Sequence, residues 1–232
     1  MSATEKLQIG IFICPGCYIP DVVGVYTVFS TVPNCDIHFI WQDKDIVVGF
    51  PNFPMQPTTT FAECPQNLDV LCIGATPGDL PDEALKFLMG QGSQAKYLIG
   101  ICGGSLMLAA LGLLKGYRAT ASFYVVDDLS KFGVIPVKGG EVVIDRNRIT
   151  AGAVSGSFDA GLIVLAKLCG EDAAKEAELA IEYAPHPPFG TGSPKLAGAE
   201  LTQKVTQKYE PALNEFRKAA QKTFEWLVAI ET

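Results

Sequence analysis

Histidines, basic residues and long hydrophobic segments are all scarce in this chain, and each shortage excludes a class of function. The two histidines, His38 and His186, lie in unrelated contexts, so no Cys/His set has zinc-ligand spacing. Lys and Arg number 18 against 25 Asp and Glu, a net charge of −7, which argues against binding nucleic-acid phosphates. The longest apolar run, residues 106–114, is about half of what a bilayer requires. We expect neither a nucleic-acid nor a membrane partner.

The remaining composition is that of a globular protein. The chain has 232 residues, of which 48% are hydrophobic and 19% charged, so disorder is not expected and a large core can form. The opening residues, MSATEKLQIG, lack a basic segment followed by an apolar one, and no signal peptide is predicted. Seven cysteines in such a chain predict free thiols rather than a disulfide framework. We therefore expect a cytoplasmic protein with a single domain over residues 1–232.

Short apolar runs alternate with helix-forming segments along most of the chain. Strands are predicted at residues 7–13, 37–41, 69–73 and 97–101, with helices at 22–29, 82–89, 106–115, 123–132, 155–168 and 171–183. Residues 142–145 and 148–150 are predicted to form a hairpin, and residues 51–60 a loop or edge segment. This alternation indicates an α/β fold, a parallel sheet covered by helices on both faces.

The end of the chain has the pattern of a long amphipathic helix. Val205, Tyr209, Leu213 and Phe216 recur at spacings of three to four, which places them on one face. Pro211 is expected to start, kink or interrupt this helix. About residues 198–232 are therefore predicted to form a C-terminal helical extension, whose apolar stripe packs on the core or on a second subunit.

Cys102 lies in the segment that is most informative about chemistry. The strand predicted at residues 97–101 leads into Cys102, then into Gly103 and Gly104, and then into a helix. This is the arrangement of a nucleophile elbow with cysteine in place of serine. The helix N-terminus should favour the thiolate, which is the reactive form. The sequence therefore predicts Cys102 as a nucleophile rather than a buried small hydrophobe.

Three runs of residues resemble the ThiJ/PfpI superfamily and, within it, the isocyanide hydratases. They are YIPD at 18–21, ICGGSL at 101–106 and EYAPHPPFGTGSP at 182–194. The resemblance extends from about residue 8 to residue 194. It implies a flavodoxin-like, doubly wound, mostly parallel sheet of the class I glutamine-amidotransferase type. It also implies a homodimer with no metal and no organic cofactor, acting on a small-molecule isocyanide.

The resemblance also implies a hydro-lyase mechanism in which Cys102 attacks the isocyanide carbon and Asp21 moves protons. A thioimidate forms, water adds, and an N-substituted formamide is released. Asp21 follows the first predicted strand, at the edge where such sheets bind ligands, and a nearby thiolate should raise the pKa of its carboxyl. Asp21 could instead be a helix N-cap only. Gly74, Ala75 and Gly103 are the expected backbone groups for substrate binding.

The chain departs from the family pattern at several positions around the expected site. Residues 74–76 read Gly-Ala-Thr where many members have Pro-Gly-Gly, and residues 122–123 read Ser-Phe in place of a His-Trp pair. Gly103 stands where the hydratases usually have Thr and the protease-like branch has His. Without that histidine a Cys-His protease dyad is not expected.

Three further interpretations remain to be distinguished. One is a glyoxalase-like enzyme acting on methylglyoxal, and another is a non-enzymatic oxidative-stress sensor in which Cys102 oxidises to a sulfinic acid. Cys14 and Cys17 form a Cys-Pro-Gly-Cys motif that could be redox-active. The delayed start of the next helix, near Asp21, disfavours a thioredoxin-type role for that motif.

Overall fold

A seven-stranded sheet forms the centre of the protein in the computed structural model, which describes residues 6–76, 79–139 and 142–231. Its strand order is β10-β11-β7-β6-β1-β2-β5, with β10 antiparallel to β11 and the other pairs parallel. In chain order the strands are β1 Leu7–Phe12, β2 Cys35–Trp41, β3 Val47–Gly49, β4 Phe53–Met55, β5 Thr59–Thr60, β6 Val70–Ile73, β7 Tyr97–Ile101, β8 Arg118–Ala119, β9 Ile135–Pro136, β10 Val143–Asp145 and β11 Arg148–Ala151. Strands β3 and β4 form a separate hairpin, and β8 pairs with β9.

Helices cover both faces of this sheet. They are α1 Pro20–Ser30, α2 Asp82–Gln94, α3 Gly104–Ala110, α4 Gly156–Cys169, α5 Glu171–Ala180 and α6 Pro194–Glu231, with a 3-10 helix at Val126–Phe132. Helix α1 connects β1 to β2, on one side of β1 in the sheet. Helix α2 connects β6 to β7, on the other side of β1. Right-handed crossovers then place α1 and α2 on opposite faces. The predicted flavodoxin-like, doubly wound α/β fold is confirmed.

The sheet brings the ends of three strands to one level. Phe12 of β1 pairs with Ile73 of β6, and Ile73 pairs with Gly100 of β7. Strand order reverses between β1 and β6, and open α/β sheets bind ligands in the crevice at this switch point. The segments that follow β1, β6 and β7 therefore meet at the edge where a ligand is expected.

Burial explains why the predicted strands form. All four residues of β6 and the last four of β7 are buried, so these apolar runs are covered on both faces of the sheet. The observed strands agree with the predicted runs to within two residues at each end. The segment at 51–60 holds the short strands β4 and β5.

Several helix predictions need correction. The helix predicted at residues 106–115 ends at Ala110 and is followed by a turn in which Gly112 has a φ of +74°, and the helix predicted at 82–89 continues to Gln94. In the segment 123–132, helix begins only at Val126 and is of the 3-10 type, because the chain first turns at Ser122, whose carbonyl accepts the Val125 N–H. Pro211 lies within α6 on its exposed side, and the helical conformation is broken at Gly198 instead. The φ of Gly198 is +77°, which glycine adopts without strain.

Helices α1 and α4 approach each other closely through small residues. The Gly24 N–H donates to Ser157 Oγ at 3.1 Å, and Ser157 Oγ–H donates to the Val154 carbonyl. A Cβ on Gly24 would overlap Ser157 Oγ and lie 2.5 Å from the Phe158 nitrogen. The absence of a side chain at residue 24 therefore sets the spacing between the helix that carries Asp21 and the segment that precedes α4.

Substitution of Gly24 tests this packing. Gly24→Ala should lower the free energy of unfolding by about 1–3 kcal/mol, since the added methyl group meets backbone as well as a side chain. Gly90→Ala is the matched control, because Gly90 lies in α2 with nothing within 4 Å of an added Cβ, and it should raise stability by about 0.5–1 kcal/mol. Urea unfolding of both variants measures the difference. Equal effects would contradict the close packing of α1 on α4.

Candidate active site

Cys102 occupies a strained turn between β7 and α3. Its φ is +58°, a left-handed conformation that is uncommon for residues other than glycine. The Cys102 N–H donates to the Ala151 carbonyl at 3.0 Å, and the Cys102 carbonyl accepts the Ser122 N–H at 3.3 Å. A Cβ on Gly104 would overlap the Ile73 carbonyl oxygen, so a glycine is needed there. The chain thus forms the predicted strand-turn-helix arrangement with Cys102 at its apex.

Asp21 lies in the first turn of α1 and is completely buried. Its Oδ2 accepts the Ala75 N–H at 3.0 Å, and its Oδ1 accepts the Val154 N–H at 3.0 Å. The side chain makes no capping bond to its own helix. The interpretation of Asp21 as an N-cap only is therefore wrong, since its carboxyl is directed at the loops that follow β6 and precede α4.

The Cys102 thiol and the Asp21 carboxyl are hydrogen-bonded to each other. The Cys102 sulfur also accepts the Gly103 N–H and the Ser122 hydroxyl proton. Burial and the nearby Asp21 charge raise the pKa of the Cys102 thiol well above its ordinary value, and the two donated hydrogen bonds do not offset them. The expectation that the helix N-terminus would favour the thiolate is therefore wrong. The sulfur keeps its proton while Asp21 is ionised.

Burial raises the pKa of the Asp21 carboxyl to about 6, although hydrogen bonds from Ala75, Val154 and Cys102 oppose this shift. The direction of the shift is as predicted, but its main cause is removal from water and not repulsion by a thiolate. Near neutral pH the carboxylate is therefore largely ionised beside a protonated thiol. The pair therefore holds one proton, which lies on the Cys102 sulfur, and the Asp21 carboxylate is able to accept it.

The three predicted substrate-binding residues surround this pair. A Cβ on Gly74 would lie 2.8 Å from the Asp21 Cβ, so the close approach of the two segments requires glycine. The Ala75 N–H is bound to Asp21, and the Gly103 N–H is directed at the Cys102 sulfur. In this structure the amides of Ala75 and Gly103 therefore hold the pair itself and are not free donors for a substrate.

Two residues of the site were missed at the sequence level. Ser122 is buried and donates to the Cys102 sulfur. The signal available in the sequence was that Ser122 and Phe123 replace the usual His-Trp pair of the family. Val154 has a φ of +49°, unfavourable for a β-branched residue, and this conformation directs its N–H at Asp21. Nothing in the sequence indicated that Val154 takes part.

Cys14 and Cys17 are buried free thiols at the end of β1, and helix α1 begins after them. The Cys14 N–H donates to the Cys17 sulfur at 3.3 Å. The hydrogen bond between the two thiols raises the pKa of Cys14 and lowers that of Cys17. The Asp21 charge opposes the lowering of the Cys17 pKa.

His186 is exposed and lines an open groove of about 730 Å³ together with residues of α4 and α5. Across residues 6–76, 79–139 and 142–231, no group of three His, Cys, Asp or Glu side chains is placed to hold a metal ion. In the same ranges no helix is long and apolar enough to cross a membrane.

Comparisons with known proteins show which family and which structures this chain is similar to. Residues 8–167 match the DJ-1/PfpI family. The chain is 38% identical over 211 residues to the isonitrile hydratase of Pseudomonas putida, covering 89% of this chain and 92% of that protein. It is similar to the crystal structure of a ThiJ/PfpI family protein from Pseudomonas syringae, with a TM-score of 0.86, 34% identity and coverage of 94% and 91%. Drosophila melanogaster DJ-1beta shares the fold, with a TM-score of 0.68, 18% identity and coverage of 78% and 100%.

The acidity of the Cys102 thiol should respond in opposite directions to two substitutions. Asp21→Asn removes the carboxylate charge, so the thiolate should form at lower pH, whereas Ser122→Ala removes a donor to the sulfur and should shift thiolate formation to higher pH. The pH dependence of Cys102 alkylation by iodoacetamide, followed by peptide mass spectrometry, measures both shifts. An unchanged or raised midpoint in Asp21→Asn would contradict the hydrogen-bonded pair.

Proposed function

The chain belongs to the DJ-1/PfpI family, and from that membership and the geometry at Cys102 we propose that it is an isocyanide hydratase. In this reaction an isocyanide (isonitrile) gains water and becomes an N-substituted formamide. The observation that carries the proposal is the hydrogen bond between the Cys102 thiol and the buried Asp21 carboxyl at the ligand-binding edge of the sheet. The 38% sequence identity to the isonitrile hydratase of Pseudomonas putida supports the same reaction.

The first chemical step joins the sulfur to the isocyanide carbon. As Cys102 attacks, its proton passes to the ionised Asp21 carboxylate, and a C–S bond forms while one C–N π bond breaks. The same carbon then carries a lone pair and takes the proton from Asp21. The product is a thioimidate, R–N=CH–S–Cys102. A raised thiol pKa suits this step, because the proton that leaves sulfur is the one that the carbon needs.

The second step adds water and releases the product. Asp21 accepts a proton from water as the oxygen bonds to the thioimidate carbon, and it delivers that same proton to the nitrogen. The resulting tetrahedral carbon collapses with cleavage of the C–S bond, and the hydroxyl proton returns to the pair, which restores the thiol. The Gly103 N–H and the Ser122 hydroxyl donate to the sulfur and stabilise the thiolate as it leaves. The products are R–NH–CHO and the original thiol, with no net oxidation.

The sensor alternative fits this site less well. Redox-sensing cysteines are low-pKa, accessible thiols, whereas burial and Asp21 raise the pKa of Cys102. For the glyoxalase alternative we find no specific observation in its favour, and methylglyoxal serves as the competing substrate in the assay below.

We also infer that the protein works as a homodimer in the cytoplasm. Four exposed apolar side chains on and beside the β3–β4 hairpin, at Ile46, Val48, Phe50 and Phe53, support association because concentrations of exposed apolar residues mark interaction sites. The cytoplasm suits the mechanism because a reducing compartment keeps Cys102 as a thiol. Sedimentation equilibrium should give twice the chain mass, and a monomer at the assay concentration would contradict the dimer.

The direct test is conversion of an aryl isocyanide to its N-formamide, followed spectrophotometrically. Cys102→Ala should lower kcat by at least about a thousandfold because it removes the nucleophile that forms the covalent intermediate. Cys35→Ala, at a half-buried thiol on β2, is the matched control and should retain activity. Full activity in Cys102→Ala would contradict the mechanism. Faster conversion of methylglyoxal to lactate than of any isocyanide would favour the glyoxalase alternative.

The pH profile should show the ionisation of Asp21. Because protonated Asp21 cannot accept the thiol proton, kcat/KM should fall as pH drops through about 6, and should lose about tenfold per unit well below it. Asp172→Asn, at a carboxylate whose side chain is 98% exposed, should keep the fall of kcat/KM at acidic pH. Asp21→Asn should lose this pH dependence along with most of the activity. A profile that stays flat from pH 8 to pH 5 would contradict the role of Asp21.

A further inference from the structure

Helix α6 lies directly over the turn that carries Cys102. A Cβ placed on Gly103 would be 3.4 Å from Phe216 Cε1 and 3.2 Å from the Ala75 Cβ. Phe216 therefore reaches the residue whose N–H is bound to the Cys102 sulfur. The C-terminal helix thus contributes a half-buried aromatic ring to the surroundings of the site.

Three tyrosines extend this aromatic surface. Tyr209 lies two turns before Phe216 on α6, and its ring centre is 6.1 Å from that of Tyr124, in an edge-to-face arrangement. The phenol groups of Tyr18 and Tyr124 lie close enough to both Cys102 and Tyr209 to interact electrostatically with them. The four rings are half-buried or exposed, so none of them is sealed in the core.

Arg217 holds α6 in this position. Its Nε donates to Asp128 Oδ2 at 2.8 Å, its Nη2 to the Tyr124 carbonyl at 3.1 Å, and its Nη1 to Glu210 Oε1 at 3.0 Å. The bonds to Asp128 and Tyr124 join α6 to the 3-10 helix and to the backbone of Tyr124, and the bond to Glu210 lies within α6. The residue next to Phe216 therefore fixes the helix with respect to another member of the aromatic group.

We propose that Tyr209 and Phe216 of α6, together with Tyr18 and Tyr124, form the wall that receives the N-substituent of the isocyanide and selects planar aromatic substituents over small alkyl ones. The proposal rests on the proposed function. The C–N–R axis of an isocyanide is linear, so with its carbon at the Cys102 sulfur the substituent projects away from the sulfur toward the partly exposed side chains around it. Aromatic rings pack favourably on one another in offset and edge-to-face geometries, and a methyl group gains little from either.

The test compares kcat/KM for an aryl isocyanide and for methyl isocyanide in matched variants of α6. Phe216→Ala should lower the aryl-to-methyl ratio of kcat/KM about tenfold, mainly through a higher KM for the aryl substrate. Phe216→Leu keeps an apolar side chain of similar reach and should lower the ratio by a smaller factor. Phe224→Ala is the control, because Phe224 is a half-buried phenylalanine on the same helix. Its ring centre lies 5.4 Å from that of Phe132, so it packs there and not against Gly103.

The outcomes separate this proposal from the proposed function. A lowered aryl-to-methyl ratio of kcat/KM in both Phe216 variants, with an unchanged ratio in Phe224→Ala, supports the proposed aromatic wall. Equal losses for both substrates in Phe216→Ala and Phe224→Ala would mean that α6 acts only through stability, and the wall proposal fails while the hydratase activity stands. No turnover of either isocyanide by the folded wild-type protein would overturn the function itself.

Discussion

The hydrogen bond between the buried carboxyl of Asp21 and the thiol of Cys102 is the interaction on which the rest of the site depends. The carboxyl also accepts amide protons from Ala75 and Val154, so it joins α1 to the segments that follow β6 and precede α4. Its pKa rises from 3.8 to about 6, so the folded protein binds that proton more tightly than the unfolded chain. The associated stability is present below about pH 4 and is lost as pH rises through 6. At neutral pH the ionised carboxylate therefore costs the fold about 3 kcal/mol.

That cost indicates what the arrangement is for. Ionisable groups with perturbed pKa values cluster at functional sites, and here a buried carboxyl lies beside a thiol whose pKa is also raised. The same network suits a reaction in which a proton must leave sulfur and arrive on carbon. The turn at Cys102, with its positive φ, and the glycine at residue 104, which meets the backbone of β6, hold the sulfur at the carboxyl. The fold thus maintains a strained turn at Cys102 and a buried carboxyl within one hydrogen-bonded cluster.

Much of the fold and the two central residues could be predicted from the sequence. Strands β1, β6 and β7 are apolar runs buried on both faces, and their composition alone indicates this. Cys102 was identifiable because a strand, a small-residue turn and a helix follow one another locally. The partners of Asp21 could not be predicted, since the Val154 N–H reaches it only through an unusual φ at a position far away in the chain. The acidity of Cys102 was misjudged because a helix N-terminus is visible in a sequence, whereas the extent of burial around a sulfur is not.

Helix α6 shows the same limit. The recurrence of Tyr209, Leu213 and Phe216 predicted one buried face, but an amphipathic stripe does not reveal which surface covers it. The contact of Phe216 with Gly103 depends on how α6 docks on α3, and the bonds of Arg217 fix that docking. A helix that extends beyond the central sheet thereby becomes part of the surroundings of the reactive sulfur.

The most direct test of the shared proton is rapid-quench mass spectrometry of the intact protein after mixing with an aryl isocyanide. The account predicts that the wild-type chain gains the mass of one substrate molecule on Cys102 before product appears. It also predicts that Asp21→Asn gains none on the same timescale, although its thiol is more acidic, because no carboxyl delivers the proton to carbon. An adduct that forms as fast in Asp21→Asn as in the wild type would contradict the transfer of the thiol proton through Asp21.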